Sequence, residues 1–243
     1  KTSGIIPFVR VMDSLTLAIS QGSLRRGSAA CYLDISHPEI EEFLEIRKAS
    51  GDFNRKSLNL HHGINITDDF MDAVKKDEDY GLISPKSKEV IRTINARKLW
   101  QKILELRMQT GEPYLLFTDT VNNAMPAHQR KLGLQVTQSN LCSEITLPTG
   151  VDHRGEDRTA VCCLSSVYAE KYLEWSKDEN FLEDIFRFLD NVLEDFIERA
   201  PSEMERAVYS AKRERSVGLG VMGFHSFLQK MNVSMESAMA KVW

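Results

Sequence analysis

Apolar residues recur at the spacing of an α-helix in three long stretches of the chain, at 7–19, 96–110 and 180–199. Each stretch predicts an amphipathic helix with one apolar stripe, which needs burial against a sheet or another helix. Pro7 suits the first turn of the first helix. The stripe of that helix consists of Phe8, Val11, Met12, Leu15 and Ile19.

Shorter elements alternate with these helices. A capping box at 36–39 predicts a helix through about Ala49, closed by Gly51, and Thr67 caps another helix through Val74. Apolar runs between turn residues predict strands over 29–35, 58–66, 114–118, 134–139, 145–147 and 159–164. The alternation of strand and helix is typical of a parallel α/β sheet or barrel.

Composition excludes several classes of protein. The 243 residues carry 31 Lys and Arg against 35 Asp and Glu, a net charge of −4, without the clustered basic face that nucleic-acid binding needs. No apolar run reaches membrane length, and no signal peptide opens the chain. We therefore expect a cytoplasmic protein with no membrane or nucleic-acid partner. Because the chain runs from Lys1 to Trp243, we also expect an internal segment of a longer protein.

The sequence favours neither a structural zinc site nor a dinucleotide fold. The four cysteines have irregular spacing, which predicts reduced thiols rather than a disulfide scaffold or metal ligands. Adjacent His61 and His62 would point apart in a strand. The G-x-G-x-x-G pattern at 218–223 follows a charged segment instead of a buried strand. We interpret it as a close-packed turn from a strand into a helix.

The most suggestive group of residues is Asn140, Cys142 and Glu144. In an extended chain their alternate spacing would place an amide, a thiol and a carboxylate on one side, which suggests a cleft because all three are costly to bury alone. A carboxylate raises the pKa of a neighbouring thiol, so the group fits an uncharged S–H better than a cysteine-protease nucleophile. On spacing alone, a solvated surface strand with an incidental Cys142 is the commoner explanation.

Two further segments are candidates. Cys162 and Cys163 would point to opposite faces of a strand, so only one of them can share a pocket with Cys142, and both could equally be small core residues. The loop 20–28 combines glycines with the planar donors of Gln21 and two arginines, which suits a ligand. A solvated turn is the ordinary alternative for that loop.

Five segments, taken together and in order, resemble the large catalytic subunit of aerobic class I ribonucleotide reductase. They are Ser-Gln-Gly-Ser-Leu-Arg-Arg-Gly at 20–27, Thr-Gly-Glu-Pro-Tyr at 110–114, Ser-Asn-Leu-Cys-Ser-Glu-Ile at 139–145, Ala-Val-Cys-Cys-Leu-Ser at 160–165, and Arg-Ser-Val-Gly-Leu-Gly-Val at 215–221. The resemblance implies an α/β fold that forms part of a ten-stranded barrel with a central finger loop carrying Cys142. The whole chain, 1–243, would be a partial barrel domain.

The resemblance also implies roles for individual residues. Cys142 would become a thiyl radical and abstract the 3′ hydrogen of a ribonucleotide, in a site shielded from water. Glu144 would act as general base on the 3′ hydroxyl, and Asn140 would orient the sugar. Cys162 would be one of two redox-active cysteines, the other lying upstream of residue 1, whereas Cys163 would be a core residue.

The flexible loop would couple an allosteric specificity site to the substrate base. Its implied residues are Ser20, Gln21, Gly22, Arg25, Arg26 and Gly27, and its effectors would be dNTPs or ATP. No covalent cofactor is implied, because a separate metal-containing small (beta) subunit would supply the radical. The substrate would be a ribonucleoside diphosphate, the reductant thioredoxin or glutaredoxin, and the full subunit a homodimer.

Several parts of that enzyme have no counterpart in these residues, including the N-terminal ATP-binding domain, the tyrosine pair of the radical relay and the C-terminal cysteine tail. We therefore expect the isolated chain to be inactive. A non-catalytic α/β module that binds a nucleotide or another protein, with its cysteines in the core, is the alternative hypothesis.

Overall fold

A computed structural model describes residues 3–243 of the chain, except for the side chains of Ser20 and Gln21. It divides into two compact units, Lys1–Thr149 and Gly150–Trp243. The helices are α1 (Ile6–Ala18), α2 (Ile40–Phe43), α3 (Asp68–Lys76), α4 (Ala96–Thr110), α5 (Thr118–Ala124), α6 (Ala127–Lys131), α7 (Tyr172–Trp175), α8 (Phe181–Arg199), α9 (Glu205–Glu214) and α10 (Phe224–Lys230). The strands are β1 (Ser20–Gln21), β2 (Arg25–Arg26), β3 (Ala30–Asp34), β4 (His61–Ile66), β5 (Asp79–Ile83), β6 (Val90–Asn95), β7 (Tyr114–Phe117), β8 (Gly150–Val151), β9 (Asp157–Arg158), β10 (Leu164–Tyr168) and β11 (Gly218–Met222).

The first unit is built on a parallel three-stranded sheet in the order β3-β4-β7. Side chains alternate between the two faces of a strand, so the register separates an apolar face from a polar one. The apolar face packs on α1, α3 and α4 and includes Cys31, Leu33, Ile64, Ile66 and Leu115. The polar face carries Tyr32, Asp34, His61, Gly63, Asn65 and Tyr114, together with the buried Leu116.

Long, strongly periodic elements were predicted well. Helix α4 has the predicted bounds and ends at Gly111, whose φ of 79° is the left-handed conformation typical of a helix C-terminus. Helices α3 and α8 and strands β3 and β7 are likewise confirmed within a few residues. The predicted capping bond of Thr67 is wrong, because its hydroxyl donates to the Asp69 carboxylate and not to the helix backbone. The turn predicted at 218–223 is β11 followed directly by α10, which Gly223 opens with a φ of 71°.

Helix α1 is confirmed, but the prediction of its buried face is wrong. The predicted stripe is exposed in the described structure, with Phe8 61% and Val11 65% accessible. The buried face instead includes Ile6, Val9 and Asp13. Asp13 can be buried because Ser57 Oγ, the backbone N–H groups of Asn59 and Leu60, and Asn59 Nδ2 all donate hydrogen bonds to it, at 2.8–2.9 Å.

The predicted helix to Ala49 is much shorter in the structure, where α2 ends at Phe43. The carboxylate of Glu39 does not complete a capping box, because it accepts a hydrogen bond from the backbone N–H of Ile5 at 3.0 Å. Beyond α2, the carbonyl of Glu45 accepts from Lys56 Nζ and that of Ile46 accepts from the N–H of Ser57. These bonds replace the continuation of the helix.

The strands predicted at 134–139, 145–147 and 159–164 are wrong, because in the described structure the chain there is irregular and β10 begins only at Leu164. Side-chain amides take the place of a partner strand. Asn122 accepts from the N–H of Val136 at 2.8 Å and donates to its carbonyl at 3.0 Å. Asn65 donates to the carbonyl of Thr137 at 2.8 Å. Such bonds satisfy backbone groups without a β-ladder.

The second unit contains the parallel pair β10-β11 and the helices α8 and α9. Cys163 lies in a small core with Leu189, Leu193 and Ala211. The hairpin β8-β9 carries Arg158, which is buried and paired with Asp152. No helix within residues 3–243 is long and apolar enough to cross a membrane.

Candidate functional site

A row of three residues crosses the polar face of the first sheet. Gly63 in β4 is the register partner of both Tyr32 in β3 and Tyr114 in β7. A Cβ atom on Gly63 would lie 2.5 Å from Cε1 of Tyr32, so the tyrosine ring covers the glycine. We call this row, Tyr32, Gly63 and Tyr114, the tyrosine platform.

The segment with Cys142 forms a closed turn. Its ends are joined by Ser139 Oγ, which donates to the carbonyl of Ile145 at 2.7 Å, and by Asn140 Oδ1, which accepts from the N–H of Ile145 at 3.1 Å. Inside the turn, the N–H of Ser143 donates to the carbonyl of Asn140 at 3.2 Å, and Ser143 has a φ of 65°. The predicted alternation along an extended strand therefore does not apply here.

The turn nevertheless brings two of the three predicted residues together. Asn140 Nδ2 donates a hydrogen bond to Glu144 Oε2 at 2.8 Å, and Cys142 lies between them in sequence. Cys142 and Glu144 are both exposed in the described structure. The predicted water-shielded site is thus not found within the first unit, because both of these side chains are open to solvent there.

Tyr32 of the tyrosine platform contacts the turn. Tyr32 Oη donates to the carbonyl of Asn140 at 3.3 Å and lies 3.2 Å from Ser143 Oγ. The pKa of Tyr114 is raised by burial first, and then by the negative charges of Glu112, Tyr32 and Cys142.

A buried carboxylate lies at the other end of the platform. Glu112 is 5% exposed, and its two oxygens lie 2.5 Å from His61 Nδ1 and 2.7 Å from His62 Nδ1. Burial alone would raise the pKa of Glu112, but the bonds from His62 and His61 and the charges of His62 and Arg47 lower it to about 2. The carboxylate is therefore charged, and it receives one histidine from each face of β4.

His61 connects this carboxylate to the platform, because its ring stacks on Tyr114 with centroids 6.0 Å apart and an angle of 9° between the planes. Sequence reasoning assigned no role to Tyr32, Gly63, Tyr114 or Glu112. Glu112 and Tyr114 do lie in the Thr-Gly-Glu-Pro-Tyr segment, one of the five that carry the family resemblance, and that placement could have marked them as candidates.

The predicted flexible loop is a short hairpin in which Ser20 pairs with Arg26 and Gln21 with Arg25. The side chains of Ser20 and Gln21 lie outside the described residues, whereas those of Arg25 and Arg26 are exposed. Gly22 has a φ of 56° at the hairpin tip. At the hairpin end, a Cβ on Gly27 would lie 2.7 Å from the carbonyl oxygen of Thr16. Glycine is therefore required at 27 for the close approach to α1.

The remaining cysteines differ in exposure. Cys162 is exposed, and Cys163 is 8% exposed with its thiol donating to the carbonyl of Leu189 at 3.4 Å. Burial, followed by the charge of Asp190, raises the pKa of Cys163. The core placement predicted for Cys163 is therefore confirmed. Cys31 is half-buried on the apolar face of β3, and burial raises its pKa.

Comparison with known proteins decides the family. The family described as "Ribonucleotide reductase, barrel domain" matches residues 1–243. The chain belongs to the ribonucleotide reductase barrel-domain family. The predictions of this family and of an α/β fold within its barrel domain are confirmed.

Individual reductases match over the whole chain. A putative ribonucleoside-diphosphate reductase large subunit of Frog virus 3 is 50% identical over 241 residues, which cover 98% of this chain and 41% of that protein. The large subunit of Invertebrate iridescent virus 3 is 40% identical over 291 residues, with 98% and 45% covered. The solved alpha subunit of the Actinobacillus ureae class Id ribonucleotide reductase is 33% identical, with a TM-score of 0.79 over 99% of this chain and 41% of that one. The chain thus spans less than half the length of these reductases.

Within residues 3–243, no group of three or more His, Cys, Asp or Glu side chains could hold a metal ion. The chemistry that the described residues can provide is that of a thiol, a carboxylate and an amide on one turn. These are the groups at Cys142, Glu144 and Asn140.

Proposed function

We propose that this chain forms part of the catalytic barrel of a ribonucleoside-diphosphate reductase large subunit, which reduces ribonucleotides to 2′-deoxyribonucleotides. Cys142 is the radical thiol in this proposal. The observation that carries it is the closed turn 139–145, which presents the thiol beside a hydrogen-bonded amide and carboxylate on the polar face of a parallel sheet.

Each side chain of the turn has a role in the proposed reaction. The Cys142 thiyl radical abstracts the 3′ hydrogen of the ribose, which restores the S–H bond and leaves a radical on the sugar carbon. Because Asn140 occupies Oε2 of Glu144, the other oxygen, Oε1, is available to accept the proton of the 3′ hydroxyl. Asn140 orients the carboxylate and, through its second Nδ2 hydrogen, a sugar hydroxyl.

Loss of the 2′ hydroxyl as water requires two electrons, and Cys162 supplies one thiol of the dithiol that provides them. The second thiol belongs to a cysteine outside these residues. Thioredoxin or glutaredoxin would then reduce the resulting disulfide. The radical comes from a separate metal-containing small subunit. A cytoplasmic location stays a prediction.

The hairpin and α1 fit the regulatory part of the proposal. Gly22 and Gly27 allow Ser20, Gln21, Arg25 and Arg26 to lie on a short projecting hairpin, where they would respond to a dNTP or ATP effector and contact the substrate base. The exposed apolar stripe of α1 would be covered by a second copy of the subunit, which supports a homodimer.

The test is an exchange of this segment into the Frog virus 3 large subunit, which is similar to it over almost its whole length. The exchanged subunit, combined with its small subunit, should produce deoxynucleotides, and Cys142→Ser should abolish turnover while leaving nucleotide binding intact. The matched control is Cys31→Ala, which removes a thiol on the opposite face of the sheet and should retain turnover. Turnover in the Cys142→Ser enzyme would contradict the proposal and favour the non-catalytic module.

A further inference from the structure

The turn with Cys142 contacts the sheet mainly through groups that no part of the proposed reaction uses. Tyr32 Oη is within hydrogen-bond distance of both Asn140 O and Ser143 Oγ, on either side of Cys142 in the sequence. Because the Tyr32 hydroxyl bonds to residues before and after Cys142, it limits movement of the backbone on both sides of Cys142. Tyr32 therefore fixes the backbone of the turn where the thiol is attached.

The position of Tyr32 depends in turn on the residue beside it in the sheet. Its ring occupies the space that a side chain at 63 would fill, and any Cβ there would collide with Cε1 at 2.5 Å and Cδ1 at 2.7 Å. Gly63 is fully paired in the centre of a parallel sheet, where a glycine costs stability. The absence of a side chain at 63 is explained by the ring that lies over it.

On the other side of Gly63, Tyr114 is held by a chain of contacts that begins in the protein interior. The Glu112 carboxylate binds Nδ1 of His61, and the His61 ring stacks on the Tyr114 ring. The His62 N–H also donates to the same carboxylate at 3.1 Å, which fixes Glu112 to the first residues of β4. Tyr114 is thus linked through the His61 ring to the buried carboxylate of Glu112.

We infer that Tyr32 is a positioning residue for the thiol of Cys142, and that Tyr114, which Glu112 and His61 hold, supports Tyr32 from the other side of Gly63. The inference rests on the proposed function of Cys142. Tyr32 contacts the backbone of the turn directly. Loss of this support should therefore lower the rate of the reaction at saturating substrate more than it weakens substrate binding.

The first experiment measures hydrogen exchange of residues 139–145 in the isolated chain. Tyr32→Phe removes one hydroxyl and should accelerate exchange of the Ser143 amide by about fivefold, the factor for one ordinary hydrogen bond. The matched control is Tyr80→Phe, which removes a hydroxyl that contacts Thr67 and Asp69, away from the turn, and should leave that exchange unchanged. Equal exchange in wild type and Tyr32→Phe would overturn the inference.

The second experiment measures kcat and KM in the exchanged viral subunit. Tyr32→Phe and Glu112→Gln should lower kcat with little change in KM, and Tyr80→Phe should lower neither. Unchanged kcat in Tyr32→Phe, in an enzyme that Cys142→Ser inactivates, would overturn the positioning role alone. Full turnover in Cys142→Ser would instead overturn the proposed function, and the positioning role with it.

Discussion

His62 and Glu112 form a buried pair at the start of β4, with Nδ1 and Oε2 2.7 Å apart and the histidine side chain fully inaccessible to solvent. His61 occupies the other oxygen of the same carboxylate. His61 and His62 are adjacent in β4 and point to opposite faces of the sheet, yet both bind the side chain of Glu112, which lies just before β7. The pair joins the core of the first unit to its polar face.

This pair predicts a specific dependence of stability on pH. The pKa of Glu112 is lowered from 4.5 to about 2, since the bonds from His62 and His61 outweigh the cost of burial. A depressed pKa contributes stability above pH 4.5, and that contribution is lost as the pH falls towards 2. Glu112→Gln should lower the free energy of unfolding at pH 7 by about 2 kcal/mol. Urea denaturation should show this difference shrinking in acid, and a difference that is constant with pH would contradict the assignment.

Asp13 should be essential for docking α1. Burial alone would raise its pKa, but hydrogen bonds from Asn59, Ser57 and Leu60 lower it, so the carboxylate is charged and fully bonded. Asp13→Ala leaves several donors unsatisfied and should destabilise the chain by roughly 3 kcal/mol. Chemical denaturation measures the loss, and Asp72→Ala, at an exposed position of α3, should change stability by less than about 0.5 kcal/mol. Similar losses in the two variants would contradict the prediction.

In the second unit, stability should depend on a buried ion pair. Arg158 donates from Nε to Asp152 Oδ2 at 3.0 Å and also contacts Glu214. Arg158→Ala leaves the buried Asp152 carboxylate without its cation and should cost about 3 kcal/mol. Arg187→Ala removes an exposed pair with Glu183 and should cost much less than Arg158→Ala, because solvent screens the pair. Thermal unfolding followed by circular dichroism compares the two, and equal shifts would show that Arg158 is not buried in solution.

Thiol reactivity should report both the turn and its surroundings. In the isolated chain, Cys142 is exposed and should react with iodoacetamide well before Cys163, whose burial raises its pKa. The proposed radical chemistry requires water to be excluded from Cys142, so the same thiol should react much more slowly in the exchanged viral subunit. Peptide mass spectrometry after timed alkylation measures both rates. Equally fast alkylation of Cys142 in the complete subunit would argue against a shielded radical site.

The sequence predicted those parts of the fold whose structure is determined locally. Helix α4 has a periodic apolar face and a terminal glycine, so its bounds follow from residues within it. The buried face of α1 could not be predicted this way, because it is determined by Ser57, Asn59 and Leu60, more than forty positions away. Apolar residues on the opposite face are the stronger signal in the sequence, although the described structure exposes them.

The candidate site was predicted by residue type but not by geometry. The local motif identified Asn140, Cys142 and Glu144, and the hydrogen bond between the first and last of them brings the amide and carboxylate together. The motif could not show that a left-handed Ser143 bends the chain into a turn. Nor could it identify Tyr32, which lies more than one hundred residues earlier in the chain and contacts the turn from β3.

The amide side chains of Asn65 and Asn122 determine where the segment before Cys142 crosses the sheet. A β-ladder would fix this segment at every second residue. Moving the segment would then require several backbone hydrogen bonds to break at the same time. Here the segment is held at separate points instead, by the two amides at Val136 and Thr137 and by Tyr32 at Asn140. Replacing one of these side chains therefore releases one point of the segment and leaves the hydrogen bonds between the strands of the sheet intact.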